Sequence, residues 1–255
     1  MKSPVKDLRS RHISNAYLRE IIPPGSIVES FLFYSGQIEF SLCQHKRFVY
    51  AHTTNYPVYE FWSFLEKDAS RIYGTLTAEA FKFDNENMYD ILQERWPMYD
   101  NPYFRSALFF LLNRCSSTGL PSKGTLDTEK YTPAALNLLK NFTMPDNFYL
   151  ELNKKQPLEE TIVDTNQSDF LFLPIQNFDY NLFDEGYTLG HEETYIHHRR
   201  IKQKLDNVDK NWVVLYNYHR DVLPLYKDYN HTLINKYGRP TNSESAAEEI
   251  IIANF

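Results

Sequence analysis

The chain has 255 residues, with 33 acidic and 27 basic side chains and a formal net charge of −6. Its length suits one large domain or one domain with an insertion, and a hydrophobic content of 42% is enough to bury a core. The acidic balance excludes the strongly basic class of nucleic-acid-binding proteins.

Cysteine usage and hydropathy indicate the compartment. Cys43 and Cys115 lie far apart and form no CxxC pair, which predicts a reducing compartment without a disulfide. No apolar run reaches the length of a membrane span, and the N-terminus lacks the apolar region of a signal peptide. We therefore expect a cytoplasmic protein without a membrane partner.

Short apolar stretches alternate with helical patterns along the chain. A helix (14–21) precedes a strand (26–33), a short helix ending at Leu42 and a strand (48–51). Pro57 opens a helix with one apolar face, and the apolar run 104–113 predicts a buried helix. A polar loop (116–132), a helix (133–141), strands at 148–152 and 170–173, a helix (191–205), a strand (212–216), a helix from Val222 and a strand (250–252) follow.

The order of these elements predicts an α/β fold, with a sheet covered by helices on both faces. Residues 75–145 are mostly helical and interrupt the alternation. We therefore expect residues 1–74 and 146–255 to build the α/β core, and residues 75–145 to form an inserted helical subdomain.

Several segments resemble the Dam-like, or D12, class of DNA N6-adenine methyltransferases. Segment 110–119 (Phe-Leu-Leu-Asn-Arg-Cys-Ser-Ser-Thr-Gly) is similar to the family's Phe-x-x-Asn-Arg-Thr-x-x-x-Gly. The helix at 58–65, the strand at 169–173 and the closing segment 248–254 also match the family's pattern. The resemblance implies a Rossmann-like methyltransferase sheet, an inserted DNA-recognition subdomain and S-adenosylmethionine as the cofactor.

The cofactor motifs of that family are degenerate in this chain. Leu32 stands where an acid is usual, Gln37 replaces a glycine, and Thr53 replaces the aspartate that grips the ribose hydroxyls. Glu29 lies three residues early, although a shifted loop would recruit it. We therefore expect no cofactor, or S-adenosylmethionine if the pocket survives, in a degenerate pocket formed by Asn15, Leu32, Gly36, Gln37 and Thr53.

The catalytic motif is replaced as well. The family's strand ends in Asp-Pro-Pro-Tyr, in which the acid holds the target amine and the tyrosine stacks on the flipped adenine. Here the same slot holds Pro174, Ile175, Gln176 and Asn177. We therefore expect no catalytic residue in this slot. Asn177 followed by Asp179 is the alternative that a scrambled motif would use.

Candidate DNA contacts follow from the resemblance and from the basic run at 199–204. They are Asn113, Arg114, Lys123, Arg199 and Arg200. Solvated surface is the simpler interpretation of that run and of the basic residues within 2–11. The histidines and glutamates at 191–198 have no second ligand set elsewhere, so no metal is expected.

The first hypothesis is a pseudo-enzyme, a catalytically inactive homologue of a DNA N6-adenine methyltransferase that acts as a DNA- or protein-binding component. The family and the Phe-, Tyr-, Asn- and Lys-rich composition favour a phage or mobile element, and hence the host cytoplasm. Three alternatives stand beside it. They are a divergent active methyltransferase, an inactive subunit paired with an active methyltransferase, and a structural virion or host-takeover protein.

Overall fold

One mixed sheet organises the computed structural model, which describes residues 2–8, 12–78, 86–154, 156–162, 167–178 and 196–255. Within those ranges the sheet has eight strands, in the order β3-β2-β1-β4-β5-β8-β6-β7. The strands are β1 (Ile27–Ser30), β2 (Phe48–Thr53), β3 (Phe148–Leu152), β4 (Phe170–Gln176), β5 (Asn211–Asn217), β6 (Asn230–Asn235), β7 (Pro240–Thr241) and β8 (Ala247–Ala253).

The first five strands are parallel and follow the 3-2-1-4-5 order of the doubly wound nucleotide-binding fold. β8 then runs antiparallel between β5 and β6. The predicted Rossmann-like α/β class is therefore confirmed.

Helices cover both faces of the sheet. They are α1 (Asn15–Ile21), α2 (Gln37–Gln44), α3 (Tyr56–Ala78), α4 (Glu86–Arg95), α5 (Pro102–Cys115), α6 (Pro133–Lys140), α7 (Leu158–Thr161), α8 (His198–Leu205) and α9 (Val222–Leu225). Short 3-10 turns occupy Trp96–Met98, Thr128–Lys130 and Glu244–Ala246. None of the helices in the described ranges is long and apolar enough to cross a membrane.

Alternating side chains of the central strands feed two separate hydrophobic cores. Phe172 and Val213 point to the face that α1, α2, α3, α5 and α6 cover. Leu173 and Val214 point to the face that α7, α8 and α9 cover. This alternation is what a strand produces when both of its faces are buried.

The buried helix predicted at 104–113 is confirmed as α5. Asn101 caps its start by accepting hydrogen bonds from the N–H groups of Tyr103 and Phe104, and Pro102 occupies the first turn. Residues 106–113 are all buried. The helix is almost continuously apolar over residues 106–112, as expected for a helix that other elements surround.

The predicted division into two units stays a prediction. α3 crosses the expected boundary at residue 74, and α5 shares one hydrophobic core with Val28 of β1 and Val49 of β2. The helical segment between β2 and β3 thus thickens the layer on one face of the sheet.

Several elements differ from the sequence-based expectation, among them α7 and β7, which were not predicted. β1 ends at Ser30 and not at 33, because Leu32 adopts a left-handed conformation with φ 62°. α8 begins at His198, so the predicted helix is wrong at 196–197, while 191–195 lies outside the described residues. β6 was not predicted, because only Leu233 and Ile234 of its six residues are buried.

Candidate functional site at the carboxyl edge of the sheet

The strand order reverses between β1 and β4. From β1 the chain adds β2 and β3 on one side of the sheet, and from β4 it adds β5 on the other side. Open α/β sheets bind ligands at such a switch point, beyond the carboxyl ends of the strands. Two non-glycine residues with positive φ lie at this edge, namely Leu32 (62°) after β1 and Gln176 (70°) at the end of β4. Strained backbone of this kind concentrates at functional sites.

The loop from β1 to α2, residues 31–36, is closed by the chain itself. Phe33, Tyr34 and Ser35 are at most 5% exposed. The Tyr34 hydroxyl donates to the Gly119 carbonyl (2.9 Å), and the Tyr34 carbonyl accepts from Trp62 Nε1 (2.8 Å). Leu32 alone in this loop is partly exposed.

Gly36 and Gln37, two residues of the predicted pocket, begin α2. Gly36 has φ 70°, and a Cβ at this position would clash with the rings of Phe40 and Phe33. Gln37 Oε1 accepts a hydrogen bond from the Ser3 N–H (2.9 Å). The start of α2 is therefore held against the N-terminal segment of the chain.

That N-terminal segment, residues 3–6, is buried and is called the strap below. Lys6 is the best-anchored residue of the strap: its Nζ donates to the Ser116 carbonyl (2.9 Å). Burial lowers the pKa of the Lys6 ammonium, and Asp127 opposes that change. The strap therefore packs against both α2 and α5, next to the residues that hold the closed loop.

Of the two other predicted pocket residues, Thr53 lies with Leu32 in a small pocket beside the loop, whereas Asn15 lies on α1. Thr53 is 3% exposed, and its hydroxyl accepts from the Asn55 N–H (3.2 Å). Asn15 starts α1, next to Ser14, whose N–H donates to Glu249 of β8 (2.8 Å). Asn15 Oδ1 is buried and has no hydrogen-bond partner among the described residues.

The four residues of the catalytic slot end β4. Pro174 and Ile175 are buried, and Ile175 belongs to the core beneath α8. A β-bulge between Pro174 and Gln176 shifts the register against β5. Asn177 is exposed, and its Oδ1 accepts from Asn217 Nδ2 (2.6 Å). None of these four side chains is an acid, and the alternative acid Asp179 lies outside the described residues.

Phe178 follows the slot and forms an aromatic cluster that the sequence did not indicate. Its ring centroid lies 4.5 Å from that of His198 and 5.2 Å from that of His219. His198 Nδ1 is hydrogen-bonded to the Tyr216 hydroxyl (3.1 Å), so the cluster extends into the core. The Phe178 ring therefore lies where the carboxyl ends of β4 and β5 are side by side.

The five predicted DNA contacts do not form one surface. Asn113 is fully buried, and its amide is engaged within the chain, so its side chain does not reach solvent. Arg114 donates to the Pro4 carbonyl, and burial lowers its pKa. Lys123 lies in the loop after α5, whereas the exposed Arg199 and Arg200 are on α8, across the sheet.

An open cleft of about 450 Å³ lies beside the closed loop, at the ends of β1, β2 and β3. His52 lies between two carboxylates there, with Nε2 3.8 Å from Glu29 Oε1 and Nδ1 3.7 Å from Glu151 Oε2. The sequence drew attention to Glu29 only. His52 and Glu151 become neighbours through the β2–β3 register, across about a hundred residues of sequence.

No metal centre is apparent in the described part of the chain, where no group of three His, Cys, Asp or Glu side chains is arranged to hold an ion. Residues 191–195, which supplied most of the histidine and glutamate cluster weighed in the sequence, lie outside that part.

No protein-family profile matches the sequence, and no curated protein matches it. Among solved structures, the fold is similar to a TehB-like SAM-dependent methyltransferase from Corynebacterium glutamicum, with 7% identity over 96% of this chain and 87% of that chain and a TM-score of 0.41. It is also similar to a SAM dependent methyltransferase from Aquifex aeolicus, with 10% identity over 97% and 95% of the chains and a TM-score of 0.38. The B. subtilis M1A22 tRNA methyltransferase TrmK has 12% identity over 94% and 64%, with a TM-score of 0.35. At these identities no residue role is transferred to this chain.

Proposed function

We propose that this chain is a catalytically inactive homologue of a DNA N6-adenine methyltransferase, and that it acts as a DNA- or protein-binding component. The Rossmann-like sheet supports the methyltransferase ancestry at the level of fold. The Dam-like resemblance of segment 110–119 supports the adenine-specific branch. The closed loop at the cofactor motif and the replaced residues of the catalytic slot support the loss of activity.

The observation that carries the proposal is the closed loop between β1 and α2. A cofactor with a methionine tail needs the backbone of this loop and the start of α2 to face a ligand. Here Phe33, Tyr34 and Ser35 are buried within the chain, and Gln37 bonds to the strap. The residues at this end therefore do not fit S-adenosylmethionine.

The catalytic slot gives independent support. Holding a target amine for methyl transfer requires a polar acceptor, and an aromatic ring must stack on the flipped base. Ile175 is part of the core, and the Asn177 amide oxygen already accepts a bond from Asn217. Neither of these two side chains is an acid, and one of the two acceptor positions of the Asn177 oxygen is already used.

Calorimetric titration with S-adenosylmethionine and S-adenosylhomocysteine tests the proposal, together with transfer of a labelled methyl group to adenine-containing DNA. We expect no binding at micromolar concentrations and no transfer. Gln37→Ala, which releases the strap from α2, is the matched variant and should remain inactive. Micromolar binding by the wild-type chain would overturn the proposal.

A divergent active methyltransferase is the second candidate, and one observation favours it. Glu29, the acid that a shifted loop would recruit, lines an open cleft at the end of β1. In this case Glu29→Gln and Asn177→Ala should each abolish a methyl transfer that the wild-type chain performs. Absence of transfer by the wild-type chain would eliminate this candidate.

The proposal also includes a binding partner. If that partner is DNA, the exposed cations of α8 are the groups to test. Its exposed cations Arg199, Arg200 and Lys204 face solvent, with Arg200 also 3.5 Å from Glu159. Replacing these cations with glutamate should abolish retention on DNA at low salt if α8 contacts phosphates. Unchanged retention would exclude this face. It would leave a protein partner, such as an active methyltransferase subunit or a host protein, for co-purification to identify.

A further inference from the structure

The outer edge of β3 offers backbone groups that are not bonded within the sheet. The Asn153 N–H bonds to the Thr53 carbonyl of β2, so the odd-numbered residues of β3 bond to β2 and the even-numbered residues face away from it. Leu150 and Leu152 therefore direct their N–H and C=O groups outward. No other strand of the described chain pairs with this edge.

The two edges of the sheet are protected differently. β7, at the opposite edge, has two residues and starts with Pro240, which has no N–H to donate. Short edge strands, prolines and lysines are the usual means by which a sheet avoids pairing with another chain. β3 has five residues, and its sequence Phe-Tyr-Leu-Glu-Leu contains neither proline nor lysine. The β3 edge is therefore open to an added strand.

The sheet face next to this edge carries exposed aromatic rings. Phe48 and Tyr50 of β2 and Tyr149 of β3 are 45%, 41% and 48% exposed, and the two tyrosine rings stack with centroids 4.8 Å apart. In the described part of the chain, the hydrophobic core on this face includes no residue of β2 or β3, and the crossover from β3 to β4 forms only the four-residue α7. An exposed apolar surface beside an open edge is typical of an interaction site.

An antiparallel copy of β3 fits this edge best in one register. When Leu150 lies opposite the partner's Leu150, these two residues exchange both backbone hydrogen bonds, and the Leu152 N–H reaches the partner's Phe148 carbonyl. Every residue of β3 then lies opposite a residue of the partner strand. The nearest register in one direction places Glu151 opposite the partner's Glu151, which is unfavourable because the charges are alike. The nearest register in the other direction leaves Leu152 beyond the end of the partner strand.

Charged residues at the two ends of β3 select the same register. Asp146 precedes the strand, Lys154 follows it, and both are exposed. They lie at equal distances along the chain from Leu150, so this register sets Asp146 opposite the partner's Lys154. Twofold symmetry forms this oppositely charged pair twice. Between the two pairs, Tyr149 lies opposite the partner's Glu151, so no like charges face each other. The complementarity of this edge with itself identifies a second copy of the chain as the occupant.

We propose that β3 pairs antiparallel with β3 of a second copy of this chain, about a twofold axis at Leu150, so that the sheet continues across a homodimer. Pairing of this kind closes after two subunits and leaves the protected strand β7 at both outer edges. The inference does not depend on the proposed function, because the β3 edge includes neither the closed loop nor the catalytic slot.

Sedimentation equilibrium of the full chain at several concentrations tests the inference. We expect a mass that rises with concentration and reaches twice the chain mass of 30.2 kDa. A wild-type chain that stays monomeric up to its solubility limit would overturn the inference. Neither result bears on the inactive methyltransferase, which is tested by cofactor binding and methyl transfer.

Charge reversal tests the pairing itself. Asp146→Lys and Lys154→Asp should each raise the dissociation constant of the dimer about tenfold, because each sets like charges opposite one another twice. The double variant restores opposite charges in reversed order and should dimerise as the wild type does. Asp228→Lys, at an exposed position just before β6, is the matched control and should change nothing. Equal dimerisation of the two single variants and the double variant would contradict the assigned interface.

Cysteine cross-linking tests the register. Tyr149 and the partner's Glu151 form a pair without mutual backbone bonds, in which Cα atoms lie about 4.5 Å apart, a distance that a disulfide bridges. Tyr149 and the partner's Tyr149 are diagonal neighbours at about 7–8 Å, which is too far. An oxidised mixture of Tyr149→Cys and Glu151→Cys chains should therefore give a covalent dimer, and Tyr149→Cys alone should not. Equal linkage in Tyr149→Cys alone, or none in the mixture, would contradict the register.

Discussion

Asn113 holds Lys6 as a neighbouring β-strand would. The Lys6 N–H donates to Asn113 Oδ1 and the Lys6 carbonyl accepts from Asn113 Nδ2, both at 2.8 Å. The same Nδ2 also lies 2.5 Å from the Gly119 carbonyl. One fully buried amide therefore fixes the strap to the end of α5 and to the loop that follows it.

Asn113→Ala should lower the free energy of unfolding by about 2–4 kcal/mol, because it leaves buried backbone groups of Lys6 without partners. Urea denaturation followed by tryptophan fluorescence measures the change. Asn141→Ala is the control: its exposed amide bonds to Asn137 within the same helix end, so stability should change by less than about 0.5 kcal/mol. Equal effects of the two substitutions would show that the Asn113 bonds to the strap contribute nothing to stability.

Glu39 should make the fold less stable as the pH rises. Burial raises the pKa of this fully buried carboxyl above its ordinary value of 4.5, although the Ser30 hydroxyl donates to it (2.8 Å). The folded state therefore binds the proton more tightly than the unfolded state does, and stability falls as the pH rises from 4.5 through the folded pKa. Urea unfolding at several pH values should show a smaller fall for Glu39→Gln, with Glu66→Gln behaving as the wild type.

Arg105 and Glu60 form a partly buried ion pair that links α5 to α3. Arg105 Nε donates to Glu60 Oε2 (2.7 Å), and Glu60 is 4% exposed. Arg105→Met should cost about 1–3 kcal/mol, because it leaves the Glu60 carboxylate with the Tyr56 hydroxyl in place of the guanidinium. Thermal unfolding of the double variant with Glu60→Leu should recover most of this loss. A double variant as unstable as Arg105→Met alone would contradict the ion-pair explanation.

Gln176 stores strain at the end of β4. A left-handed conformation costs a non-glycine residue about 1–2 kcal/mol, part of which glycine loses again through its greater freedom in the unfolded chain. Gln176→Gly should therefore raise the free energy of unfolding by about 0.5–1 kcal/mol, and Gln176→Val should lower it. Lys46→Gly, at an exposed position that also has a positive φ, 66°, should give the same gain. Destabilisation by Gln176→Gly would show that the glutamine side chain contributes contacts worth more than the strain.

The hydrophobic pattern of the sequence correctly predicted the elements that are buried on all sides. The apolar run that became α5 and the run that became β4 were both predicted, because helices and strands surrounded on all sides read as continuous hydrophobic segments. β6 was missed, since it begins with Asn230, His231 and Thr232 and carries little hydrophobic signal.

The candidate site was harder to predict, because long-range pairing creates it. The strap has no periodic pattern, and its burial depends on Asn113, which lies 107 residues further along the chain. The position of His52 next to Glu151 depends on the β2–β3 register. The closed loop after β1 depends on Trp62 and Gly119. Comparison with the family motif detects that Gln37 replaces a glycine. It cannot detect that the strap packs against Gln37.

The order of strands also has a consequence for the nascent chain. β1 pairs with β4, whose last residue, Gln176, is synthesised 146 residues after Ser30. At translation rates of about 5–20 residues per second, one edge of β1 therefore stays unpaired for on the order of ten seconds or more. An open edge beside Val28 and Phe31 is a template for pairing with other chains. The earliest part of the sheet to be made is thus the part most exposed to misassembly, and co-expression of chaperones that shield nascent chains should raise the soluble yield.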